Sequence, residues 1–500
     1  MASNNQNLEE IAVVILAAGQ GKRMRSPLPK VLHKVAEQEI VLWSLRAALE
    51  ISPAIISIVL SADDAGKLVK QKIEDFTSKH LNEATNKVGD KADDKAGFSN
   101  YNKQSVGCDT PHNAKAVAGC TIQFAYQKER LGTGHAVQQA IDANRDFYKN
   151  FRGNIIVIYA DTPFLSPVIL RQISLTGGGV RVIGFNPKDK ASYGRLLIKE
   201  ESKNEGGNEG VDKNLNEGGN LQKIIESKDL TKEEGNNLEL CNSGVMAFSS
   251  DLIEEVFQFK NNNNKGEFYL TDLVEIAYNK GKETSFITAN PEEIIGINDQ
   301  AELAFANKIA QKSLRTQMMQ NGVCLPEPDS VYFAYDTEIA AGCVVYPNVY
   351  FGKSVKIAEN VTILPSCMLA ECNIASGCVI GPFARVRPQT DVKENVKIGN
   401  FVEVKKSKID KNSKINHLAY IGDAVIGKNT NIGAGSITCN YDGTKKHETK
   451  IEDNVFIGSN SCLVAPVTIG ENSVVGAGTT ILQNVPIGSK IVNKKKQDFI

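Results

Sequence analysis

The sequence predicts an α/β unit of Rossmann-like type followed by an all-β unit, a left-handed parallel β-helix of hexapeptide repeats. Three observations predict it. The 500 residues exceed what a single hydrophobic core holds. Before about residue 300, short β-branched runs alternate with helical patterns. Beyond about residue 323 the apolar period becomes six.

In the first part, VVILAAG, IISIVL, TIQFAY and NIIVIYAD read as buried strands. Residues 29–50 and the segment holding Gly134 to Ala143 read as helices. This alternation predicts a parallel sheet wrapped by helices, with ligands at the carboxyl ends of its strands. Residues 82–118 and 201–220 are rich in Asn, Gly, Lys and acids and poor in aliphatics, so they are expected to be flexible surface insertions. An amphipathic pattern with little Gly or Pro from Asp299 to about Gln320 predicts a long linking helix. The expected division is therefore 1–298, a linker helix at 299–322, and 323–500.

In the last part, Ile339, Val345, Phe351, Ile357, Ile363 and Leu369 are spaced by six, as are Ile451, Ile457, Leu463, Ile469, Val475 and Ile481. Ile380, Val386, Val392, Ile398 and Val404 continue the rhythm in a shifted register. Each hexapeptide would form one flat face with its aliphatic residue pointing into a triangular core. Gly399, Gly422, Gly427, Gly433, Gly458, Gly470 and Gly476 are expected to let the chain turn at the corners. An antiparallel sandwich offers no reason for period six. The rhythm fails at NYDGTKKHETK, residues 440–450, which should loop out.

Composition narrows the function classes. Net charge is −1 with no dense Lys/Arg face, so no nucleic-acid partner is expected. The start MASNNQNLEE is polar and acidic, unlike a signal peptide, and no stretch suits a membrane span. The ten cysteines are scattered without a CxxC pair. They read as small buried side chains in a reducing, cytoplasmic setting.

LAAGQGKRM follows the first strand, where Gly19 and Gly21 allow backbone N–H groups to approach phosphate and Arg23 adds a charged fork. It is neither a dinucleotide fingerprint nor a P-loop, and such a turn alone does not establish phosphate binding. Its company strengthens it. Lys30 of SPLPKVLHK is available for a phosphate. Gln127 ends a strand, and Gly132, Thr133 and Gly134 open a helix whose first amides are free to bind. Asp161 of IIVIYADTP stands at a strand's carboxyl end. A lone Asp there also serves as a helix cap, but beside the first motif it is assigned to Mg²⁺.

On LAAGQGKRM and PLPKVLH, residues 11 to about 300 resemble the sugar-nucleotide pyrophosphorylases, a nucleotidyltransferase family. The whole chain resembles the bacterial family of bifunctional N-acetylglucosamine-1-phosphate uridyltransferase/glucosamine-1-phosphate acetyltransferases. The resemblance implies nucleotide contacts from Leu16, Ala17, Ala18 and Gly19, with Lys30, Gln127, Gly132 and Thr133. Tyr159, Ala160 and Asp161 would lie near the phosphates. Gly194, Glu226 and Asn242 would hold the acetylated sugar, and Asn298 would share the metal with Asp161. The sequence departs from the family at Ala160, where Gly is usual, at NSG for NTG, and at Ser227, where His is common. The implied reaction has a sugar 1-phosphate attack the α-phosphorus of UTP in line, with Lys30, Arg23 and the glycine-loop amides neutralising charge.

The β-helix part holds only His417 and His447, too few for the zinc trio of a hexapeptide-repeat carbonic anhydrase. A lone His is usually structural, yet His417 stands in KINHLAYIGDAVIG, where an aliphatic repeat gives no packing reason for imidazole. Glu403, Lys405, Tyr420, Arg385 and Arg387 suggest a phosphosugar pocket around it. GPFARVRP, GNFVEVKK and NIGAGSITCNYDG resemble the acetyltransferase half of the same bifunctional family, over about 330–490. That implies His417 as general base with Glu403 orienting it. Arg387, Lys405, Tyr420 and Asn431 would bind the sugar phosphate. Ala434, Asn440, Tyr441, Ser459, Ala477 and Lys494 would line the acetyl-CoA groove, although Lys494 replaces the family's usual Arg. Hexapeptide prisms pack around threefold axes, so a homotrimer is expected. Two other readings compete: nucleotidyl transfer alone, with the β-helix serving assembly or regulation, and a non-catalytic scaffold.

Overall fold

The computed structural model describes residues 10–89, 120–174, 178–190, 193–199, 217–231, 234, 237–261 and 266–493. The chain forms two compact units, parted between Ala306 and Asn307, and residues 36–38 group with the second.

The strands up to residue 306 are β1 (Glu10–Leu16), β2 (Lys34–Val35), β3 (Gln38–Glu39, whose Gln38 groups with the second unit), β4 (Ile55–Ser61), β5 (Thr121–Gln127), β6 (Gly153–Tyr159), β7 (Val180–Phe185), β8 (Arg195–Ile198), β9 (Glu217–Gly219), β10 (Leu221–Ile225), β11 (Cys241–Ser249) and β12 (Thr284–Thr288). The helices are α1 (Ile40–Glu50), α2 (Asp64–Gly89), α3 (Thr133–Ala143), α4 (Arg145–Asn150), α5 (Pro167–Ile173), α6 (Ile253–Val256) and α7 (Asp272–Asn279), and α8 (Gln300–Gln320) runs on into the second unit. Every residue of β4 is buried, as a central strand covered on both faces requires. The main sheet runs β5-β4-β1-β6-β11-β7-β12-β9, with β8 and β10 paired beside β11.

This sheet is mixed, not parallel as expected. β5, β4, β1 and β6 are parallel, but β11 runs antiparallel to both β6 and β7. Direction leaves no mark on an apolar run, so hydrophobicity could not reveal it. The expected helix over 29–50 is corrected too. Residues 34–39 form a two-strand ribbon whose turn puts Ala36 and Glu37 at φ 48° and 67°, so α1 starts only at Ile40. Of the expected insertions, residues 82–89 continue α2 and Glu217–Gly219 pairs with β12. Residues 90–118 and 201–216 lie outside the described residues.

The second unit is a left-handed parallel β-helix. Its three sheets hold eight, nine and eight parallel strands, each strand pairing with its counterpart one coil later. The inward positions of the six-residue rhythm, from Ile339 through Ile481, are all buried in one continuous cluster. Asn, which tolerates the left-handed region, is the residue type other than Gly most often found at positive φ in this unit. Asn360, Asn395, Asn412, Asn429, Asn454 and Asn472 have φ of 57°, 58°, 60°, 55°, 57° and 59°. Asn412, Asn429 and Asn454 link successive coils by side-chain hydrogen bonds of 3.2 and 3.1 Å. The seven glycines expected to turn the chain have ordinary φ. They are needed because coils approach closely: a Cβ at Gly399 would lie 1.9 Å from the Asn416 carbonyl oxygen.

The chain leaves the prism between Ile437–Cys439 and Thr449–Ile451, with Tyr441 bridged to Lys446 at the loop's base. Among the described cysteines, five are buried, but Cys120, Cys439 and Cys462 are half-buried and Cys324 is exposed, which corrects their reading as uniformly buried.

Candidate active sites

The first site lies where β1, β5 and β6 end together on the carboxyl edge of the sheet. Beyond β1, Gly21 has φ 59°, and a Cβ there would meet Lys30 Cβ at 2.6 Å, so this glycine both turns the loop and admits Lys30. Leu16 and Ala160 join the ends of β1 and β6 by an amide–carbonyl hydrogen bond of 3.0 Å. The Ala17 amide donates to Val59 at 2.8 Å. Arg130, which the sequence reading missed, ties Ala18 by donating to its carbonyl at 3.0 Å and pairs with Asp63 at 3.1 Å. Gly19 is exposed with open space where a Cβ would stand, and Arg23 is exposed in a short 3₁₀ turn.

Lys30 Nζ is ion-paired with Asp161 Oδ2 and lies 3.2 Å from Asn298 Oδ1. Its side chain is 12% exposed and that of Asp161 18%, so the pair is shielded from solvent and feels a strong mutual field. Asn298 is set by backbone: the Ile297 amide donates to the Asp161 carbonyl at 3.0 Å, and the Asn298 amide donates to Glu302 at 2.6 Å. Two hard oxygen donors thus converge from different segments on one cation, here an ammonium. That donor chemistry suits Mg²⁺, which takes one or two protein oxygens and completes its shell from phosphates and water.

At the start of α3, Gln127 donates to the Gly132 carbonyl at 3.1 Å, and the Thr133 hydroxyl accepts from the Leu270 amide at 3.1 Å. Gly132 has φ 105°. Tyr159 hydrogen-bonds Thr133, and burial followed by the Glu226 and Asp161 carboxylates pushes its phenol up. Gly194, Glu226 and Asn242 come together. The Asn242 amide donates to the Gly194 carbonyl at 2.9 Å, and a Cβ on Gly194 would lie 3.6 Å from Glu226 Cα. Glu226 accepts from the Thr271 hydroxyl at 3.0 Å.

The neighbouring Asp272 was not legible in the sequence. Burial, then Glu275, Glu226 and Asp229, raise its carboxyl to about 6. An acid raised in the folded state stabilises the fold fully below its unfolded value, near 4, and loses that contribution as pH rises through about 6. Asp272→Asn is therefore expected to stabilise the first unit by about 2 kcal/mol at pH 7 and to flatten its pH dependence between 4 and 6. Urea unfolding at several pH values measures this, and an unchanged slope would show the carboxyl to be ordinary.

The second site is built by coil arithmetic. Residues 17 or 18 apart sit side by side on successive coils, so Arg385, Glu403 and Tyr420 form one row. Arg387 Nη1 pairs with Glu403 at 2.6 Å, and Arg385 lies 3.7 Å from the same carboxylate. Lys405 is pushed down chiefly by the adjacent Lys446 ammonium, with Arg387 adding to it. These cations form a cluster suited to a phosphate. Lys446 was missed because it stands in the excursion loop, outside the repeat.

His417 is exposed at the end of the strand Lys414–His417, and its Nδ1 lies 2.6 Å from Asn400 Oδ1. The orienting contact expected of Glu403 is thus made by Asn400. Glu403 is 14 residues before His417 and falls on a different sheet, whereas Asn400 is its register partner. Asn431 follows on the next coil of the His417 sheet. Ala434, Ser459 and Ala477 recur at one corner of successive coils, joined through the Asn460 and Gly478 amides at 2.7 Å each. Asn440 is buried and donates to Asp423 at 2.6 Å, while Tyr441 is exposed. Lys494 lies outside the described residues.

Comparison with known proteins agrees with this division. Residues 11–78 match the family of 2-C-methyl-D-erythritol 4-phosphate cytidylyltransferase, and residues 448–483 match the hexapeptide repeat of succinyl-transferase. Among curated relatives, the Bifunctional protein GlmU of Roseobacter denitrificans is 39% identical over 91% of this chain and 87% of its own length. That of Zymomonas mobilis is 38% identical over 97% and 95%, and that of Bartonella quintana 37% over 97% and 94%. With such identity running through both units and almost the full length of each relative, the chain belongs to the family of the bifunctional protein GlmU.

Proposed function

We propose that this chain makes UDP-N-acetylglucosamine in two steps: acetyl transfer from acetyl-CoA to glucosamine 1-phosphate, then uridyl transfer from UTP to N-acetylglucosamine 1-phosphate. One observation carries the reading. A chain of this family carries the Lys30–Asp161–Asn298 cluster in one unit and His417 on an exposed corner of the other.

In the acetyl step the amine nitrogen attacks the thioester carbonyl carbon, His417 takes the amine proton, and the C–S bond breaks to release coenzyme A. Arg387, Lys405, Tyr420 and Asn431 bind the sugar phosphate, with Lys446 adding charge and Glu403 steadying the Arg387 fork. Ala434, Asn440, Tyr441, Ser459 and Ala477 line the acetyl-CoA groove, the first and the last two supplying a surface of small side chains.

In the uridyl step a phosphate oxygen of the sugar attacks the α-phosphorus of UTP, and pyrophosphate leaves. Leu16 to Gly19, Gln127, Gly132 and Thr133 position the nucleotide. Gly194, Glu226 and Asn242 hold the acetylated sugar, with Tyr159 and Ala160 beside the phosphates. Lys30 and Arg23 balance phosphate charge. Asp161 and Asn298 would hold Mg²⁺, which when bound neutralises charge on the triphosphate. The free cysteines fit a reducing compartment, the cytoplasm, and among the described residues no helix is long and apolar enough to cross a membrane.

Incubating purified protein with glucosamine 1-phosphate, acetyl-CoA and UTP tests the whole sequence. UDP-N-acetylglucosamine should form only with all three, and uridyl transfer alone should proceed from N-acetylglucosamine 1-phosphate. Failure to consume acetyl-CoA would leave a nucleotidyltransferase only.

A homotrimer is the expected assembly. Its support is a ladder of apolar side chains on one corner of the prism: Phe383, Phe401 and Leu418 are 51%, 56% and 62% exposed, and the two rings stack at 5.1 Å. Light scattering should give three times the chain mass. An active acetyltransferase monomer at assay concentration would sink this.

A further inference from the structure

We propose that Asn400 sets the reactive tautomer of His417: its side-chain carbonyl accepts a hydrogen bond from Nδ1–H, so that Nε2 carries the lone pair that takes the amine proton. The inference rests on the reading of His417 as the base of acetyl transfer, and adds a positioning residue to it.

The geometry that carries it is a register match. Strands Lys397–Asn400 and Lys414–His417 pair in parallel with Asn400 directly opposite His417, and the two side chains meet at 2.6 Å. Their backbone carbonyls are both held by the next coil. The Leu418 amide donates to the Asn400 carbonyl at 3.0 Å, and the Gly435 amide donates to the His417 carbonyl at 3.2 Å. Immediately before Asn400, Gly399 permits the close coil approach that holds the two residues in contact. Within one chain the imidazole is exposed and the Asn400 amide is the contact that chooses its tautomer.

The partner's chemistry matters as much as its place. Among the described residues His417 has no ionised partner. Its neighbour on the coil before is Asn400, and on the coil after are Ala434 and Gly435, none of them titratable. The carboxylate of Glu403, on the adjoining sheet, is engaged by Arg387 and Arg385. An amide orients the ring without adding the negative charge that would make the imidazole more basic and slower to release its proton. A carboxylate at position 400 would supply both orientation and charge, which makes the substitution Asn400→Asp diagnostic.

The test combines acetyl-transfer kinetics with nitrogen-15 NMR of full-length protein labelled at histidine. The six histidines give few signals, and His417→Ala identifies the one that matters. Wild type should show His417 as the Nδ1–H tautomer. Asn400→Ala should give mixed tautomers and about a 10- to 100-fold lower kcat, with KM for glucosamine 1-phosphate unchanged. Asn400→Asp should restore the Nδ1–H tautomer and most of kcat, with the rising limb of the pH–rate profile moved about one unit or more to higher pH. An Nε2–H tautomer in wild type overturns the proposal, as does an Asn400→Ala enzyme with wild-type kcat and profile. Should Asn400→Ala fail to fold, the wild-type tautomer and the Asn400→Asp profile still decide. If His417→Ala keeps the wild-type rate, the base reading itself fails; if His417 is essential and Asn400 dispensable, only this inference fails.

Discussion

Asp161→Asn is expected to abolish Mg²⁺-dependent pyrophosphate release, by at least about a thousandfold, while acetyl transfer should continue at the wild-type rate. The substitution keeps shape and removes charge. Asp161 is the only carboxylate among the two oxygen donors that converge here, so an amide leaves the cluster with no anion to hold a cation against a triphosphate. It also leaves the Lys30 ammonium, mostly shielded from solvent, beside two neutral amides, which should loosen it from its place. The fold should survive, because the backbone of Asp161 still accepts from the Ile297 amide and β6 still pairs with β1 along its whole length. Binding of Mn²⁺ in the presence of UTP, followed by electron paramagnetic resonance, should weaken together with activity. Full uridyl transfer in this variant would remove Asp161 from the metal site.

The features that were legible in the sequence are those in which a side chain's type is dictated by its place. The hexapeptide rhythm was readable because the interior of the prism is apolar, and the runs spaced by six between Ile339 and Ile481 are aliphatic but for Phe351. The glycines beside them were found for the wrong reason. Gly399 and Gly458 have ordinary φ, and what forbids a side chain is the next coil's backbone, which is invisible without the stacking distance. In the first unit the strands were readable from apolar runs, but the antiparallel course of β11 was not, since Met246 to Ser249 would be equally apolar in either direction. The spacing of Val31, Leu32, Val35 and Ala36 imitates a helix, yet the positive φ at Ala36 and Glu37 makes it a turn.

The site residues divide in the same way. Lys30, Asp161 and Asn298 come from three distant segments, a 3₁₀ turn, the end of β6 and the loop before α8, and only the fold brings them within bonding distance. Near His417, the family resemblance implied Glu403 as its partner, but in a coiled prism the relevant separation is one coil. Counting 17 residues back from 417 reaches Asn400, a residue that the repeat itself could have pointed to. Lys446 obeys no such count, because the loop that bears it lengthens its coil, so that Asn431 pairs with Phe456 at a separation of 25.

His417→Ala is expected to lower acetyl transfer by about two to four powers of ten and to leave uridyl transfer unchanged. Without a base, the attacking amine must shed its proton to water, and the tetrahedral intermediate returns to reactants more often than it expels coenzyme A. Uridyl transfer has no need of this imidazole, since its proposed residues all belong to the other unit. The sign of the pH effect follows from the role: a base works only when unprotonated, so the wild-type acetyl rate should fall toward acid pH, and the mutant should lack that limb. A structural histidine would behave differently. His417 is exposed, and among the described residues its only side-chain hydrogen bond is to Asn400, so its removal should change stability by no more than about 0.5 kcal/mol. Activity and stability therefore separate cleanly at this position. A loss of thermal stability in proportion to activity would assign His417 to the fold, and a folded His417→Ala protein that acetylates glucosamine 1-phosphate at the wild-type rate would refute its role as the base.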